Sequence, residues 1–541
     1  MKFIKKIAAL LIITTIMISA SGCNLIAAII NSIYKYPFDS PAYSERKYEE
    51  PDKDAIYAQI DEIKKLSESS GNDNAIKEKR TEFFINSYYK VSTSRTVAEI
   101  EYYKNINDEQ AKKRYEDINV FFLTLHNDTM ELEKTLFSSS YKKMMISITN
   151  EDYCNSILNY NVKDQTLLDL EAKESKLVSD YTAISSSDNG EKFAEIYKDL
   201  IITRNRIAAA SKKSDGTPYK NYPEYAYDTQ YGRDYTPDEI ASFRAAIKQN
   251  FYDLGVKILS IRKSFTSYNI PVSENELKEY VVKIIEKTAD DMLPSWNYMT
   301  RLGLYDFTVD QNKMNTSFVT QFQAYGDGFM FINASGAFTQ DVNTVLHEFG
   351  HYNAIFATEK NKEGKSDIYN YDLLETHSQC FELITLPAVK SVCDEQLYET
   401  YTLSLLLNSV WAMLSNCMFD EFEYIVYNAD PETLTQSFLE NTFTEVQSKY
   451  WSSQDYKYYE VPHLFSAPSY CISYAVSMLF SSVIWNTDKN VDKYLDVVSY
   501  GEGHYLSEIC EKVGLDNPLD KSTVEKIALS YNKLINETFA A

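Results

Sequence analysis

The feature that most constrains the fold is a long stretch with few helix-breaking residues. From Ala55 to about Ala210 the chain contains little Gly or Pro, and its apolar residues recur at helical spacing, as in TLLDLEAKESKLVSDY. SESSGNDN and SSSDNG within this stretch indicate loops between helices. From the helix start TPDE at Thr236 to the end, helical spacing again dominates. The sequence therefore predicts a mostly α-helical protein.

One segment departs from the helical pattern. In FVTQFQAYGDGFMFIN, from Phe318 to Asn333, β-prone residues flank a Gly-containing turn, which predicts a β-hairpin. An irregular stretch between Lys212 and Thr236 separates the two helical parts. We therefore predict an N-terminal helical region at 55–210 and a second region at 211–541. A chain of 541 residues is long enough for a large core or for two lobes around a cleft.

The charge of the chain excludes one class of partner. Its 54 basic and 78 acidic side chains give a formal net charge of -24. A surface of this sign repels a phosphate backbone, so no nucleic-acid partner is expected.

The first residues resemble an export signal. Lys2, Lys5 and Lys6 precede an apolar run, which closes in small residues before Cys23. This is the layout of a secretory signal peptide at 1–23. The ending resembles a bacterial lipobox, which implies that Cys23 is acylated and becomes the mature N-terminus.

The residues that follow the signal leave an alternative open. Apolar residues resume at Leu25–Ile30, so the alternative is an uncleaved membrane anchor. Either arrangement places the body outside the cytoplasm, at the outer face of a bacterial membrane. From Tyr34 to about Asp54 the sequence is rich in Pro, charge and Tyr, and residues 24–54 are predicted to be a tether.

The residues that carry chemistry lie in DVNTVLHEFGHYNAIF. Its apolar residues have helical spacing, and Thr339 or Asp341 can cap the helix start. His347 and His351, at i and i+4, lie one turn apart on the same face and can bind one Zn²⁺. Glu348 is rotated by about 100° from His347 and can act as a general base on a water without being a ligand. The alternative is a buried helix that holds two core histidines.

A zinc site of this kind needs a third protein ligand. One family of zinc peptidases has its third ligand, a His, shortly after this motif and preceded by a Gly. Here Ala354 and Ala357 stand at those two positions, so this arrangement is excluded. In the helical segment YDLLETHSQCFELI, Glu375 is the first candidate, with Glu382 two turns further along the same face. His377 is the competing ligand, although on a helix it points about 200° from Glu375.

The motif and its surroundings resemble the oligoendopeptidase F and thimet oligopeptidase group of zinc metallopeptidases. FMFINASGAFTQDVNTVLHEFGH is similar to that family's strand, glycine-containing turn and metal helix. ETHSQCFE resembles its Glu-x-x-Ser-x-x-x-Glu motif, which implies that Glu375 is the third ligand and that Glu382 supports a ligating His. The resemblance covers roughly Asn205 to Tyr474. It implies a two-lobed helical fold with a deep cleft, a small sheet beside the metal helix, and one zinc ion per chain.

A later segment, HLFSAPSYCISYA, resembles the same family's His followed by a Pro-x-Tyr-x-x-x-Tyr-Ala run. The resemblance implies that His463 and Tyr470 donate hydrogen bonds to the oxyanion and to substrate, and that Tyr474 contacts substrate. From the residues alone, Tyr470 and Tyr474 could equally be an aromatic core stripe on one helix face.

Together these patterns predict a zinc-dependent endopeptidase that cuts short, unstructured oligopeptides, with the strand Phe329–Asn333 pairing with the bound peptide. Two alternatives come from other classes. One is a lipid-anchored peptide-binding protein on a peptidase scaffold, and the other is a zinc hydrolase of another amide or ester.

Overall fold

A computed structural model gives the architecture. The structure describes residues 40–539 except for 160–164, 183, 185–188, 214, 361–369, 451–456 and 502. The predicted signal peptide 1–23, Cys23 and residues 24–39 of the predicted tether lie outside the described residues.

Helices account for most of the described chain, which confirms the predicted fold class. The helices of the first half are α1 (Lys53–Ser67), α2 (Asp73–Phe83), α3 (Tyr89–Lys104), α4 (Glu109–Phe137), α5 (Lys142–Ile148), α6 (Glu151–Asn159), α7 (Gln165–Thr182), α8 (Gly190–Ala210), α9 (Tyr222–Thr229), α10 (Ile240–Ser264), α11 (Glu274–Thr288) and α12 (Leu293–Leu302). Those of the second half are α13 (Phe338–Lys360), α14 (Tyr371–Ile384), α15 (Leu386–Lys390), α16 (Glu395–Tyr427), α17 (Gln436–Tyr450), α18 (Pro462–Ser466), α19 (Cys471–Trp485), α20 (Asn490–Tyr500), α21 (Leu506–Val513) and α22 (Lys521–Phe539). Shorter helical turns lie at Tyr43–Glu45, Phe84–Tyr88, Asp290–Met292, Pro431–Thr433 and Tyr458–Glu460.

The buried apolar side chains form two clusters. The smaller contains residues from Ile56 to Ile157 together with Ala324. The larger contains residues from Val97 to Ile535, and α3 contributes to both. Leu200, in α8, lies in the larger cluster, so the two clusters do not divide at residue 210, and the boundary at 210 stays a prediction. The helical pattern is continuous across 55–210, and it does not reveal which core each apolar stripe joins.

A small sheet confirms the predicted hairpin. β2 (Phe318–Phe322) and β3 (Asp327–Phe331) pair antiparallel, and β1 (Tyr305–Asp306) adds a parallel strand in the order β1-β3-β2. The expectation that Phe329–Asn333 pairs with a peptide is wrong for its first part, because β3 is the central strand. The amides of Met330 and Ile332 already donate to Leu304 and Asp306.

Residues 40–52, the described part of the predicted tether, lie against the sheet. The buried guanidinium of Arg46 donates two hydrogen bonds of 2.7 Å to the carboxylate of Asp327, at the start of β3. The ring of Tyr43 lies 4.5 Å from that of Phe329. This segment is therefore packed rather than free, because its Arg has a buried partner 281 residues away.

One helix of the described chain, α16, is long and apolar enough to cross a membrane by composition. In the folded protein 83% of its most apolar window is buried. Its apolar surface is therefore explained by the core, where it packs against α10 and α19.

Candidate metal centre

Two helices, α13 and α14, carry the predicted ligands. The carboxylate of Asp341 accepts hydrogen bonds from the amides of Ser335 and Gly336, which fixes the turn before α13. Asp341 lies within the first turn of α13, so it holds the preceding turn rather than capping the helix as predicted, and the amide of Thr339 donates instead to Oδ1 of Asn269. The side chain of Asn370 accepts from the amides of Asp372 and Leu373, which starts α14.

Gly350 allows these helices to approach closely. A Cβ at this position would lie 2.4 Å from the carbonyl oxygen of His377 and 2.7 Å from Cα of Ser378. Any larger residue would push α13 and α14 apart. The glycine between the two motif histidines therefore brings the metal helix against the helix of the third ligand.

The structure places the three predicted ligands together. Ligand atoms of His347, His351 and Glu375 lie within 4.8 Å of one another. Oε2 of Glu375 is 3.9 Å from Nε2 of His347 and 3.7 Å from Nε2 of His351. These two separations fit within two metal–ligand bonds of about 2.0–2.2 Å each. Two imidazoles and one carboxylate are a donor set that suits zinc with an open position, so the residues fit the implied ion.

A chain of hydrogen bonds orients His347. Its Nδ1 lies 2.6 Å from Oε1 of Glu382, as expected for this supporting carboxylate. Oε2 of Glu382 accepts from Nδ2 of Asn343, whose Oδ1 accepts from the hydroxyl of Tyr401. Asn343 and Tyr401 are not among the residues predicted from the sequence. Asn343 stands four residues before His347 on the same helix face, and that spacing is a signal that could have found it.

The protonation of His347 is set by these carboxylates. Burial lowers its pKa, but the hydrogen bond with Glu382 and the charges of Glu348 and Glu375 outweigh burial and raise the pKa to about 9. A metal that binds Nε2 must therefore displace a proton.

Glu348 lies beside the ligands and is almost fully buried. Its Oε2 has no hydrogen-bond partner among the described residues. Burial raises its pKa to about 8, and the charges of Glu375 and Glu382 act in the same direction against that of His347. A buried carboxylate with an unpartnered oxygen and a raised pKa is suited to accept and return a proton.

His377 does not join the three ligands. It is completely buried, and neither ring nitrogen has a hydrogen-bond partner in the part of the chain that the structure describes. Burial lowers its pKa to about 4, so the ring is neutral. The geometry therefore favours Glu375 over His377 as the third ligand.

The three residues of the later segment lie together next to Glu375. The hydroxyl of Tyr470 donates to Oε1 of Glu375 at 2.7 Å. The ring of His463 is nearly parallel to that of Tyr470 at 6.0 Å, and Tyr474 meets Tyr470 edge-on at 5.1 Å. All three are buried. The contact with Glu375 gives Tyr470 a role that the sequence did not predict, and its role as an oxyanion donor stays a prediction.

Comparison with known proteins points to a peptidase family. The family model described as Peptidase family M3 matches residues 291–529. Oligopeptidase PepF of Bacillus subtilis (strain 168) is 22% identical over 261 residues, which are 45% of this chain and 38% of the relative. An oligoendopeptidase F homolog of Lactococcus lactis subsp. lactis (strain IL1403) is 24% identical over 204 residues, 35% of this chain and 34% of the relative. The aligned part thus spans less than two fifths of these curated relatives.

The likeness in structure extends further than the likeness in sequence. A structure of PZ peptidase A with an inhibitor superposes with a TM-score of 0.72 at 18% identity, covering 91% of this chain and 99% of that one. The two chains therefore share a fold over nearly their whole lengths.

Proposed function

Because residues 291–529 match the model of Peptidase family M3, we propose that the chain is a zinc-dependent endopeptidase that hydrolyses short peptides. The observation that carries the proposal is the convergence of the ligand atoms of His347, His351 and Glu375, with the unpartnered Oε2 of Glu348 in the same buried site.

Two of the three ligands have a defined support. The carboxylate of Glu382 holds Nδ1 of His347, and the hydroxyl of Tyr470 holds Oε1 of Glu375. These contacts leave Nε2 of His347 for a metal, and Oε2 of Glu375 has only a long hydrogen bond of 3.4 Å from the hydroxyl of Ser378. Zinc bound there would act as a Lewis acid that polarises the peptide carbonyl and makes a water more acidic.

Glu348 performs the proton transfers. Its Oε2 accepts a proton from the attacking water and later returns it to the leaving amine, so one carboxylate acts first as base and then as acid. Burial and the neighbouring carboxylates raise its pKa to about 8 in the metal-free site. A dication held by the three ligands would lower this pKa and leave the carboxylate ionised to act as the base.

His463 and Tyr470 are proposed to stabilise the oxyanion, with Tyr474 contacting the peptide. Burial lowers the pKa of His463 to about 4 and raises that of Tyr470 far above its ordinary value. Both side chains are therefore neutral hydrogen-bond donors at neutral pH, as an oxyanion site in a dry pocket requires.

Metal dependence tests the proposal directly. Purified chain in detergent is incubated with quenched fluorescent peptides, with a chelator, and after dialysis with one equivalent of Zn²⁺. We expect cleavage that the chelator abolishes and zinc restores. Binding of peptides without any cleavage would favour a peptide-binding protein, and turnover of esters or other amides alone would favour a different hydrolase.

The substrates are proposed to be short and unstructured, and to be cut internally. The side chains of His351 and Glu375 are only 6% and 1% exposed, so a folded surface has little access to the ligand atoms, whereas an extended chain can enter. A series of peptides from about 5 to 40 residues, with a folded protein and its denatured form, is the test. We expect internal cuts and rates that fall with length. Digestion of the folded protein, or release of single terminal residues only, would contradict the proposal.

The site of action is proposed to be the outer face of a bacterial membrane. The basic residues, apolar run and Cys23 of the sequence support export followed by acylation. Mass spectrometry of the N-terminal peptide from membranes is expected to show acylated Cys23. An intact Met1 would favour the uncleaved anchor instead.

A further inference from the structure

The segment that carries His463 and Tyr470 is held by side chains from distant elements. One guanidinium, that of Arg233, donates to the carbonyl oxygens of Ser469 and Tyr470 at 2.9 and 3.4 Å and to Oγ of Ser473 at 2.7 Å. The hydroxyl of Tyr231 donates to the carbonyl of Pro468 at 2.8 Å. Between α18 and α19 the backbone thus depends on these contacts rather than on regular secondary structure.

Ser469 shows how closely this backbone is constrained. Its φ of +64° lies in the left-handed region, which a serine rarely adopts. Its amide donates to both carboxylate oxygens of Glu423 at 3.0 Å, while its carbonyl accepts from Arg233. The surrounding side chains therefore hold a conformation that the local sequence does not favour.

Arg233 also connects this segment to the helix of the third ligand. Its Nε lies 3.5 Å from Oδ1 of Asp372, which also accepts from Oγ of Ser473 at 2.5 Å. Asp372 stands three residues before Glu375 on α14. Two bridges therefore join the segment at the start of α19 to α14. In one bridge, Arg233 and Ser473 contact Asp372. In the other, the hydroxyl of Tyr470 donates to Glu375.

The environment of Arg233 suits a fixed guanidinium. Its side chain is fully buried and lies over the rings of Tyr227 and Tyr231 at 4.1 and 4.7 Å. A planar fork with five donors can serve two carbonyls and a hydroxyl at once while its charge lies beside the carboxylate of Asp372, which the single ammonium of Lys cannot do.

We infer that Arg233 is a positioning residue for the metal site. It holds the backbone of Ser469 and Tyr470 against α14, and the Tyr470 hydroxyl thereby keeps the carboxylate of Glu375 aimed at the metal position. This inference rests on the proposed metal site, and it assigns to Arg233 an effect on zinc affinity that acts through Tyr470.

A double-mutant cycle on zinc affinity tests it. Chelator competition gives the zinc Kd of the full chain, of Arg233→Lys, of Tyr470→Phe and of the double variant. Loss of a group that orients a ligand weakens metal binding by about 10–100-fold, and we expect about 10-fold for each single change. The double variant is expected to bind no more weakly than Tyr470→Phe alone, since Arg233 acts through that hydroxyl. Losses that multiply in the double variant would overturn the inference.

A matched control separates positioning from general loss of stability. Arg80 makes an equally buried pair with Glu133 at 2.5 Å in the smaller core. Arg80→Lys is expected to lower the thermal midpoint without changing zinc affinity, and an equal loss of zinc affinity there would overturn the inference. If Arg233→Lys does not fold, Ser473→Ala removes part of the same bridge and is expected to weaken zinc binding measurably. Unchanged affinity in Ser473→Ala would then count against the positioning role.

Peptide cleavage measured on the same samples keeps the two proposals apart. A chain that shows the expected Kd pattern but cleaves no peptide contradicts the proposed function and leaves the positioning role supported. A chain that cleaves peptides with zinc, but whose Arg233 and Tyr470 effects multiply, contradicts the positioning role alone. A wild-type chain that binds no zinc overturns the metal site and this inference with it.

Discussion

The hydroxyl of Tyr470 lies 2.7 Å from Oε1 of Glu375, and Oε2 of the same carboxylate faces the two motif histidines. One oxygen of the third ligand is therefore held by a phenol while the other is left for the metal. Tyr470 thus has two proposed tasks, orienting Glu375 in the free site and donating to the oxyanion in the transition state. Its hydroxyl has one proton, so it performs them one at a time, and they can be separated by experiment.

Tyr470→Phe separates these tasks when activity is measured at saturating zinc. If the hydroxyl also stabilises the transition state, kcat falls by about 10²–10³, the range for one lost oxyanion donor. KM is expected to change little, because this interaction forms mainly in the transition state. Full recovery of kcat at saturating zinc would show that Tyr470 only orients Glu375.

Glu382→Gln tests the support of His347. The change removes the negative charge of the carboxylate whose Oε1 lies 2.6 Å from Nδ1 of His347. Zinc affinity is expected to fall by about 10–100-fold. The control is Glu508→Gln, which alters another His–Glu pair, that of Glu508 with His504 at 3.2 Å. Chelator competition on both variants makes the comparison, and equal zinc affinity in the two would contradict the role of Glu382.

Gly350→Ala tests the close approach of the metal helix to α14. The added Cβ would lie 2.4 Å from a backbone carbonyl oxygen, so the helices must separate, at a cost of about 1–3 kcal/mol in stability. Zinc affinity is expected to fall as well, since the ligands sit on both helices. In the control Gly190→Ala, the nearest atom is the movable end of Gln436 at 2.8 Å. Similar unfolding midpoints for the two variants would contradict this packing argument.

The sequence predicted the chemistry at this site better than its surroundings. His347 and His351 follow from one-turn spacing on a helix, and Glu375 and Glu382 from spacing together with the resemblance. Local periodicity is sufficient for such residues because each pair lies on a single helix. Arg233 could not be found in this way, since its partners lie 139 to 240 residues further along the chain.

The same reason explains the errors in the fold. The pairing of Arg46 with Asp327 and the central place of β3 both depend on contacts between distant segments. A stretch rich in Pro and charge is typical of a tether, and only a buried partner elsewhere shows that it packs. The positive φ of Ser469 is likewise imposed by tertiary contacts and not by its own residue type.

Acid sensitivity provides a test of His463. Burial lowers its pKa to about 4, so between pH 6.5 and 4 the unfolded chain binds a proton that the folded chain does not. The contribution of the neutral His463 to the free energy of unfolding is therefore present above pH 6.5 and is lost as the pH falls toward 4. The loss is about 1.4 kcal/mol per unit of pKa shift. His463→Phe is expected to lose less stability than wild type over this window. If the plots of unfolding midpoint against pH for wild type and His463→Phe run parallel, the result would contradict a buried neutral imidazole at His463.

The central claim is that Glu348 moves the proton while His347, His351 and Glu375 hold the metal. Glu348→Gln keeps the size of the side chain and removes its basicity. Zinc content and kcat/KM, measured on the same preparation, are the decisive pair. We expect about one zinc per chain, as in wild type, and kcat/KM lower by about 10²–10⁴, the range for a lost general base. A variant that keeps its zinc and cleaves peptides at the wild-type rate would contradict the account.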